Sequence, residues 1–403
     1  MGGTLNNVYN NAGYALNLHF EAMARLQEQM ATGSRVNRPS DDPFAAYRVL
    51  GLNSQERLLG NHIDKLLDII DVLETSYTVV QGDNGIIASL TKAKVTITQL
   101  LSGTYTDEGR KIAAQEINEI LEQVIMLANT KHRGQYIFGG SDTDSAPYAV
   151  ERTDGKITSV TYQGGSMARN IEVADGVEVA AFQVGNNIFS SDDRSEPVFI
   201  GDTGAAAGSG TSSVGGYVWL EITQPGGPGT DYRLSIDDDP TSFVDVTVPP
   251  GSANTMVTNV DTGKVLYVNT TGITGTGVEL VSVAGTHDVF NTLITIRDIF
   301  ENERGLSDAL LSQLRANLLE ASDEISALLV RAEVSIGSKI GFLENLRQNL
   351  EDIKFNTEQE KTRLEEADIA QVVIDLSRRE VLYQMSLAVA GKIMSMSLLD
   401  FIR

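Results

Sequence analysis

The chain has 403 residues, 41% hydrophobic and 21% charged, with 54 acidic against 31 basic side chains and a formal net charge of −23. That length supports two or three domains with a substantial core, and so acidic a balance argues against nucleic acid or an anionic membrane as partner, since both need a basic face. The absence of cysteine excludes disulfides, thiolate nucleophiles and cysteine metal sites together.

The opening segment, MGGTLNNVYNNAGYALNLHF, has neither the basic region nor the apolar core of a cleaved secretory signal. No apolar run approaches the ~20 residues of a membrane span. The protein is expected to be cytoplasmic, or to leave by a route that reads no cleaved signal. Leu16, Phe20, Met23 and Met30 recur at helical spacing and mark an apolar face.

The helical pattern stops at ATGSRVNRPSDDPFAAYRVL, residues 31–50. Gly33 supplies a left-handed stop, and Pro39 disfavours the α region at Arg38. Ser40 or Asp42 then caps a new helix, with Pro43 in its first turn and Asp41 and Asp42 at the positive end of its dipole. Capping leaves Arg35, Asn37 and Arg38 unexplained. Ion pairs between subunits would account for polar groups concentrated at a bend.

From Phe44 to Ala146, and again from Gly251 onward, no proline interrupts the chain. Leu52, Leu59, Ile63, Leu66, Ile70, Leu73, Tyr77 and Val80 keep a three-four spacing with Glu56 as the single polar intruder. The phase shifts near Gly82–Gly85 and resumes through Ile86, Leu90, Ala93, Ile97 and Leu100, so one long helix is expected over about residues 44–101. A second is expected over about residues 110–128.

Residues 147–285 hold seven of the nine prolines and 20 of the 37 glycines. Segments such as KITSVTYQG, YVWLEITQP, YRLSIDDDP, FVDVTVPP, KVLYVNTTG and GVELVSVAG are alternating or β-branched, between turn residues. They predict a compact antiparallel β-domain. With 17 acidic and 6 basic residues, it reads as a solvent-facing insert, with Trp219 in its core.

A third helical region, about residues 307–362, mirrors the first through Leu310, Leu314, Leu318, Ile325, Leu328, Ala332, Ile336, Ile340, Leu343, Leu350 and Ile353. Two stripes of matched length should pack together, and their phase shifts favour a bundle over a free coiled-coil rod. Residues 368–403 carry one stripe through Ile369, Val373, Leu376, Tyr383, Leu387, Ala390, Met394 and Phe401, and a second beside it through Val372, Ser386, Val389, Ile393 and Met396. A helix apolar over most of its girth must be buried. Neither end of the chain has enough neighbouring chain to do so, and an outside partner is expected.

Catalytic templates find no match. His19, His62, His132 and His287 do not fall at metal-binding spacing, and neither a GxSxG elbow nor a P-loop occurs. GAAAGSGTSSVGG, residues 204–216, is expected to be a flexible loop. The acidic stretches GGSDTDSAP and SIDDDP read as turns, since Asp and Ser bond their own backbone. No enzyme activity, cofactor or metal is expected.

The joint at residues 31–50 resembles that of the bacterial flagellin family, and its Pro-Ser-Asp-Asp-Pro resembles in particular the hook–filament junction proteins. LANTKHRGQYIFGGSDTDSAPY, VTYQGGSMARNIEVADGVEVAAFQVGNNIF and EEADIAQVVIDLSRREVLYQMSLAVAGKIMSMSLLDFIR resemble the same group. Glu380 in the terminal stripe and the final Arg403 depart from it. The resemblance implies an α+β protein in three layers: inner-coil helices at 1–38 and 366–403, a long-helix bundle at 39–146 and 286–365, and an outer β-domain at 147–285.

It also implies export through the flagellar apparatus without signal cleavage, and a structural place between the first hook-associated protein and flagellin. Subunits would form a ring or helical assembly of copies, with an export chaperone on the C-terminal segment. A filament-forming flagellin is the alternative. The interface would use Leu16, Phe20, Met23, Arg35, Asn37, Arg38, Asp41, Asp42, Leu376, Tyr383, Leu387, Met394, Leu398 and Leu399. Before assembly the two ends would be disordered or loosely helical.

Overall fold

A computed structural model describes residues 2–102, 106–153, 155–174, 176–236, 242–247 and 251–401. The helices are α1 (Gly2–Thr32), α2 (Pro43–Gln81), α3 (Ile86–Ser102), α4 (Asp107–Ala128), α5 (Gly185–Phe189), α6 (Val289–Glu301), α7 (Asp308–Glu365) and α8 (Ile369–Phe401). The chain forms two compact units, residues 1–65 with 345–403 and residues 66–344. Among the described residues, no helix is long and apolar enough to cross a membrane.

The expected helix over residues 44–101 is two helices. At the break, a Cβ on Gly82 would lie 2.6 Å from the Thr78 carbonyl oxygen, and one on Gly85 would lie 2.8 Å from the Gly82 amide nitrogen. Only glycine permits so tight a turn, so the phase shift marks a break between two helices rather than a drift within one. The α2 stripe is buried at Leu52, Leu59, Ile63, Leu66, Ile70, Leu73 and Val80. Glu56, the intruder, accepts a 2.8 Å bond from Lys361 of α7, which holds its carboxyl below the ordinary glutamate range. On α7 the stripe is buried at Leu314, Leu318, Ile325, Ile336 and Leu343 and half-buried at Leu328, Ala332 and Ile340, whereas Ile353 is 45% exposed.

In the second unit the β-domain has the expected antiparallel pairing. Five strands order as 244–246, 232–235, 216–223, 277–283 and 198–200, and three more as 255–258, 265–269 and 206–207. Leu220, Ile222, Leu234, Val246, Val281 and Val283 of the first sheet share one core with Val257, Leu266 and Val268 of the second. Hairpins at 148–162 and 169–182 precede them. The acidic stretch at residues 237–240 lies outside the described residues. Asp142, in the other, accepts from Ser145 Oγ at 2.7 Å and from the amides of Asp144 and Ser145.

Residues 204–216 are stitched down rather than loose. Ser212 Oγ accepts from the Tyr267 amide at 3.0 Å and Ser213 Oγ from the Val265 amide at 2.7 Å. A Cβ on Gly210 would lie 2.3 Å from the Tyr267 ring. The small residues that suggested flexibility instead allow close approach to a strand.

Helix α6 has no counterpart among the sequence expectations. Asp288 caps it through the Asn291 amide at 2.8 Å, and Asn302 closes it in the left-handed conformation. It is buried on most sides, with Asn291, Thr295 and Asp298 on one narrow polar stripe at helical spacing. Its Arg297 is 2% exposed and donates to the Ile157 carbonyl at 2.7 Å and to Asn118 Oδ1 at 3.1 Å, tying the first hairpin and α4 to α6.

The turn before α6 is fastened to α7 by Glu324, which accepts from the Gly285 amide at 2.9 Å, the His287 amide at 3.2 Å and His287 Nδ1 at 2.9 Å. Burial alone would raise the Glu324 pKa, but the bonds from His287 and Gly285 outweigh it and hold the carboxyl below its ordinary 4.5. A lowered folded-state pKa stabilises the fold above the unfolded value and loses that contribution as pH falls through the folded one. Glu324→Gln is expected to cost about 2 kcal/mol at neutral pH and to flatten the loss of stability below about pH 4.5. Urea unfolding on both sides of that pH measures it.

Candidate assembly site at the joint and the terminal helices

All elements of the site belong to the first unit. Helix α1 ends as Gly33 turns left-handed, at φ +72°, its amide bonding the Gln29 carbonyl at 2.8 Å. The chain then pairs with the end of α7. Ser34 bridges Glu366 antiparallel, the Arg35 amide donates to the Glu365 carbonyl at 2.6 Å, and the Ala367 amide donates to the Gly33 carbonyl at 2.9 Å. Ser34 Oγ adds a bond to the Glu365 carbonyl at 3.2 Å.

Every polar residue singled out at this bend has a partner in its own chain. Arg35 donates to Asp42 Oδ2 and to the Leu364 carbonyl, each at 3.2 Å. Asn37 donates its side-chain amide to the Ser34 carbonyl at 3.2 Å. Arg38 pairs with Glu28 at 3.2 Å, both partners exposed. Asp41, with its side chain 14% exposed, pairs with Arg25 at 3.1 Å and accepts from the amides of Arg38 at 2.9 Å and Asn37 at 3.2 Å. Asp42, not Ser40, caps α2 through the Ala45 amide at 3.0 Å. That amide, with the Arg35 guanidinium, holds the Asp42 carboxyl below the ordinary aspartate range.

Arg38 and Asp41 therefore separate. Arg38→Ala removes an exposed pair worth under about 1 kcal/mol. Asp41→Ala strands two amides and is expected to cost about 1–2 kcal/mol. Amide exchange at Asn37 and Arg38 should quicken in Asp41→Ala and stay nearly unchanged in Arg38→Ala.

Beyond the joint α1 and α8 pack against each other, and Leu18, Leu26 and Gln29 of the one and Asp375, Arg378 and Leu382 of the other line a shared groove. The sequence left both helices uncovered; in the structure each covers one seam of the other. Among the partly buried positions, Ala12, Leu16, His19, Met23 and Leu26 on α1 and Leu376, Arg379, Tyr383, Ser386 and Ala390 on α8, with Val372 buried, alternate three- and four-residue steps, the spacing of a coiled-coil seam; Ala22, Glu28, Gln29 and Asp375 are partly buried beside them. The α8 seam draws on both stripes read from the sequence.

The cover is thin. Among the described residues of α1 no side chain is buried, and in α8 only Val372 is. Tyr14, Leu18, Phe20 and Met30 stay exposed on α1, as do Ile369, Val373, Ile374, Val381, Leu382, Met385, Leu387 and Val389 on α8. Of the expected interface residues, Leu16, Met23, Leu376 and Tyr383 lie in the seam, whereas Phe20 at 59% and Leu387 at 47% face solvent. Met394, Leu398 and Leu399 have side chains outside the described residues.

Residues 4–143 match the bacterial flagellin N-terminal helical region. Flagellar hook-associated protein 3 of Escherichia coli K12 is 32% identical over 172 residues, 41% of this chain and 49% of that protein. Its Salmonella typhimurium LT2 counterpart is 31% identical over 175 residues, 41% of this chain and 50% of that one. The chain thus spans about half the length of the curated relatives it matches. A crystal structure of flagellar hook-associated protein 3 from Legionella pneumophila shares the fold, with TM-score 0.52 and 18% identity over 78% of this chain and 98% of that one. The chain is thus similar to the flagellin N-terminal helical region over residues 4–143 and to flagellar hook-associated protein 3 over 41% of its length.

Proposed function

We propose that the protein is a structural, non-enzymatic component of the extracellular bacterial flagellum, an adaptor at the hook–filament junction. The observation that carries this reading is the pair of terminal helices. Twelve large apolar side chains stay exposed on them, far more than a monomer gains from showing to water. Copies placed head to tail would cover those faces and build a closed ring or helix. The first hook-associated protein and flagellin would cover the two ends, and an export chaperone would cover the α8 face before assembly. Residues 1–38 and 366–403 would form the inner layer, residues 39–146 and 286–365 the layer around it, and residues 147–285 the outer surface. The names of the matched relatives support this place.

The test mixes the chain with hooks carrying the first hook-associated protein, then adds flagellin and images the product. Filaments should grow on the hooks only when the chain is present. Growth without it, or long filaments from the chain alone, would reject the adaptor reading, the second result in favour of a flagellin.

A further inference from the structure

The outward face of the central strand Gly216–Thr223 holds a cleft within the second unit. Along this strand Leu220 and Ile222 point into the β-domain core, at 0% and 1% exposure. Alternation puts Trp219 and Glu221 on the other face. The only tryptophan of the chain was expected in the core and instead lines a cleft of about 580 Å³ with Glu221, Asp261, Thr262, Lys264 and Arg304. The Arg304 guanidinium lies over its ring, 5.1 Å from the centroid.

We propose that this cleft binds a saccharide, of one or two sugar rings. Its volume lies within the roughly 300–1,000 Å³ of small-molecule sites. The aromatic ring, with the Arg304 guanidinium over it, forms a flat stacked surface with polar edges, against which the C–H face of a pyranose can lie. Around it stand donors from Arg304 and Lys264 and acceptors from Glu221 and Asp261, with the Thr262 hydroxyl, which donates to Asn259 Oδ1 at 2.7 Å, as a further acceptor. A sugar hydroxyl donates and accepts, so it can use all of them. A phosphate needs donors alone and would meet two carboxylates. A cationic peptide would meet Arg304 and Lys264. An apolar ligand would desolvate charged groups with nothing to return. This proposal is independent of the junction reading.

The lone tryptophan makes the test direct. The full chain is titrated with chitobiose, cellobiose and lactose while its emission is followed, and binding is checked by saturation-transfer NMR. At least one disaccharide should give a saturable change that inorganic phosphate and trilysine neither produce nor compete away. Glu221→Gln and Asp261→Asn, with circular dichroism unchanged, should each weaken binding by ~tenfold, and Trp219→Ala should abolish the NMR signal. No response to any of the three sugars, competition by phosphate or trilysine, or equal binding by the folded Glu221→Gln and Asp261→Asn variants would overturn the assignment.

Discussion

Replacing Phe20 and Leu387 together by aspartate is expected to abolish assembly while changing the monomer's unfolding free energy by no more than about 0.5 kcal/mol, the range of ordinary surface substitutions. Both side chains face solvent in the single chain, at 59% and 47% exposure, so neither supports the α1–α8 seam. In an assembly that covers these faces, each aspartate would be buried without a partner, a penalty of several kcal/mol. Leu16→Asp with Leu376→Asp is the contrasting pair. These positions lie in the seam, and their replacement should part the two helices in the monomer and speed amide exchange along residues 372–390. Sedimentation and electron microscopy of the first variant decide the matter. Assembly at wild-type efficiency would show that the exposed faces have no partner.

The largest loss of stability is expected from Arg297→Ala. The guanidinium is 3% exposed and makes a 2.7 Å ion pair with Asp298, beside its bonds to the Ile157 carbonyl and Asn118. Burial raises the Asp298 pKa and the guanidinium opposes that rise. Removing the arginine leaves a buried carbonyl unpaired and Asp298 without its cation, at a cost of about 3–5 kcal/mol. Denaturant unfolding should show a lowered midpoint with an unchanged slope. Arg297→Lys, which cannot reproduce the forked donor geometry, should fall between the two.

Elements with a solvent face were legible from sequence because water writes the period. The α2 stripe, the α7 stripe and strands such as Tyr232–Ser235 and Val265–Asn269 have one side in the core and one less covered, whereas Gly277–Val283 is buried on both faces and was read from its β-branched residues and bounding glycines. Helix α6 was passed over although Asp288 and Asn302 stand at its ends and Asn291, Thr295 and Asp298 mark a polar stripe at helical spacing; its β-branched residues follow directly on a β segment and read as more of the same. Glu56 looked like an intruder because its partner, Lys361, lies 305 residues away. The joint showed the same blindness. Gly33, Asp42 and Pro43 act within a few residues and could be read directly, whereas the Arg35 contact with Leu364 spans 329 positions. Trp219 was misplaced for a different reason: alternation fixes two faces of a strand but does not say which one meets the core.

The short bridge of Ser34 to Glu366 sets an order of events. Its halves are 332 positions apart, so closing it demands a long loop and a late step in folding. A chain delivered from its beginning can form α1 early, but it cannot fasten the bend until residue 367 has arrived. The clasp thereby acts as a completeness check: a copy cut short before that point keeps only the local Arg25–Asp41 and Arg38–Glu28 pairs to hold its first helix, without the bridge or α8.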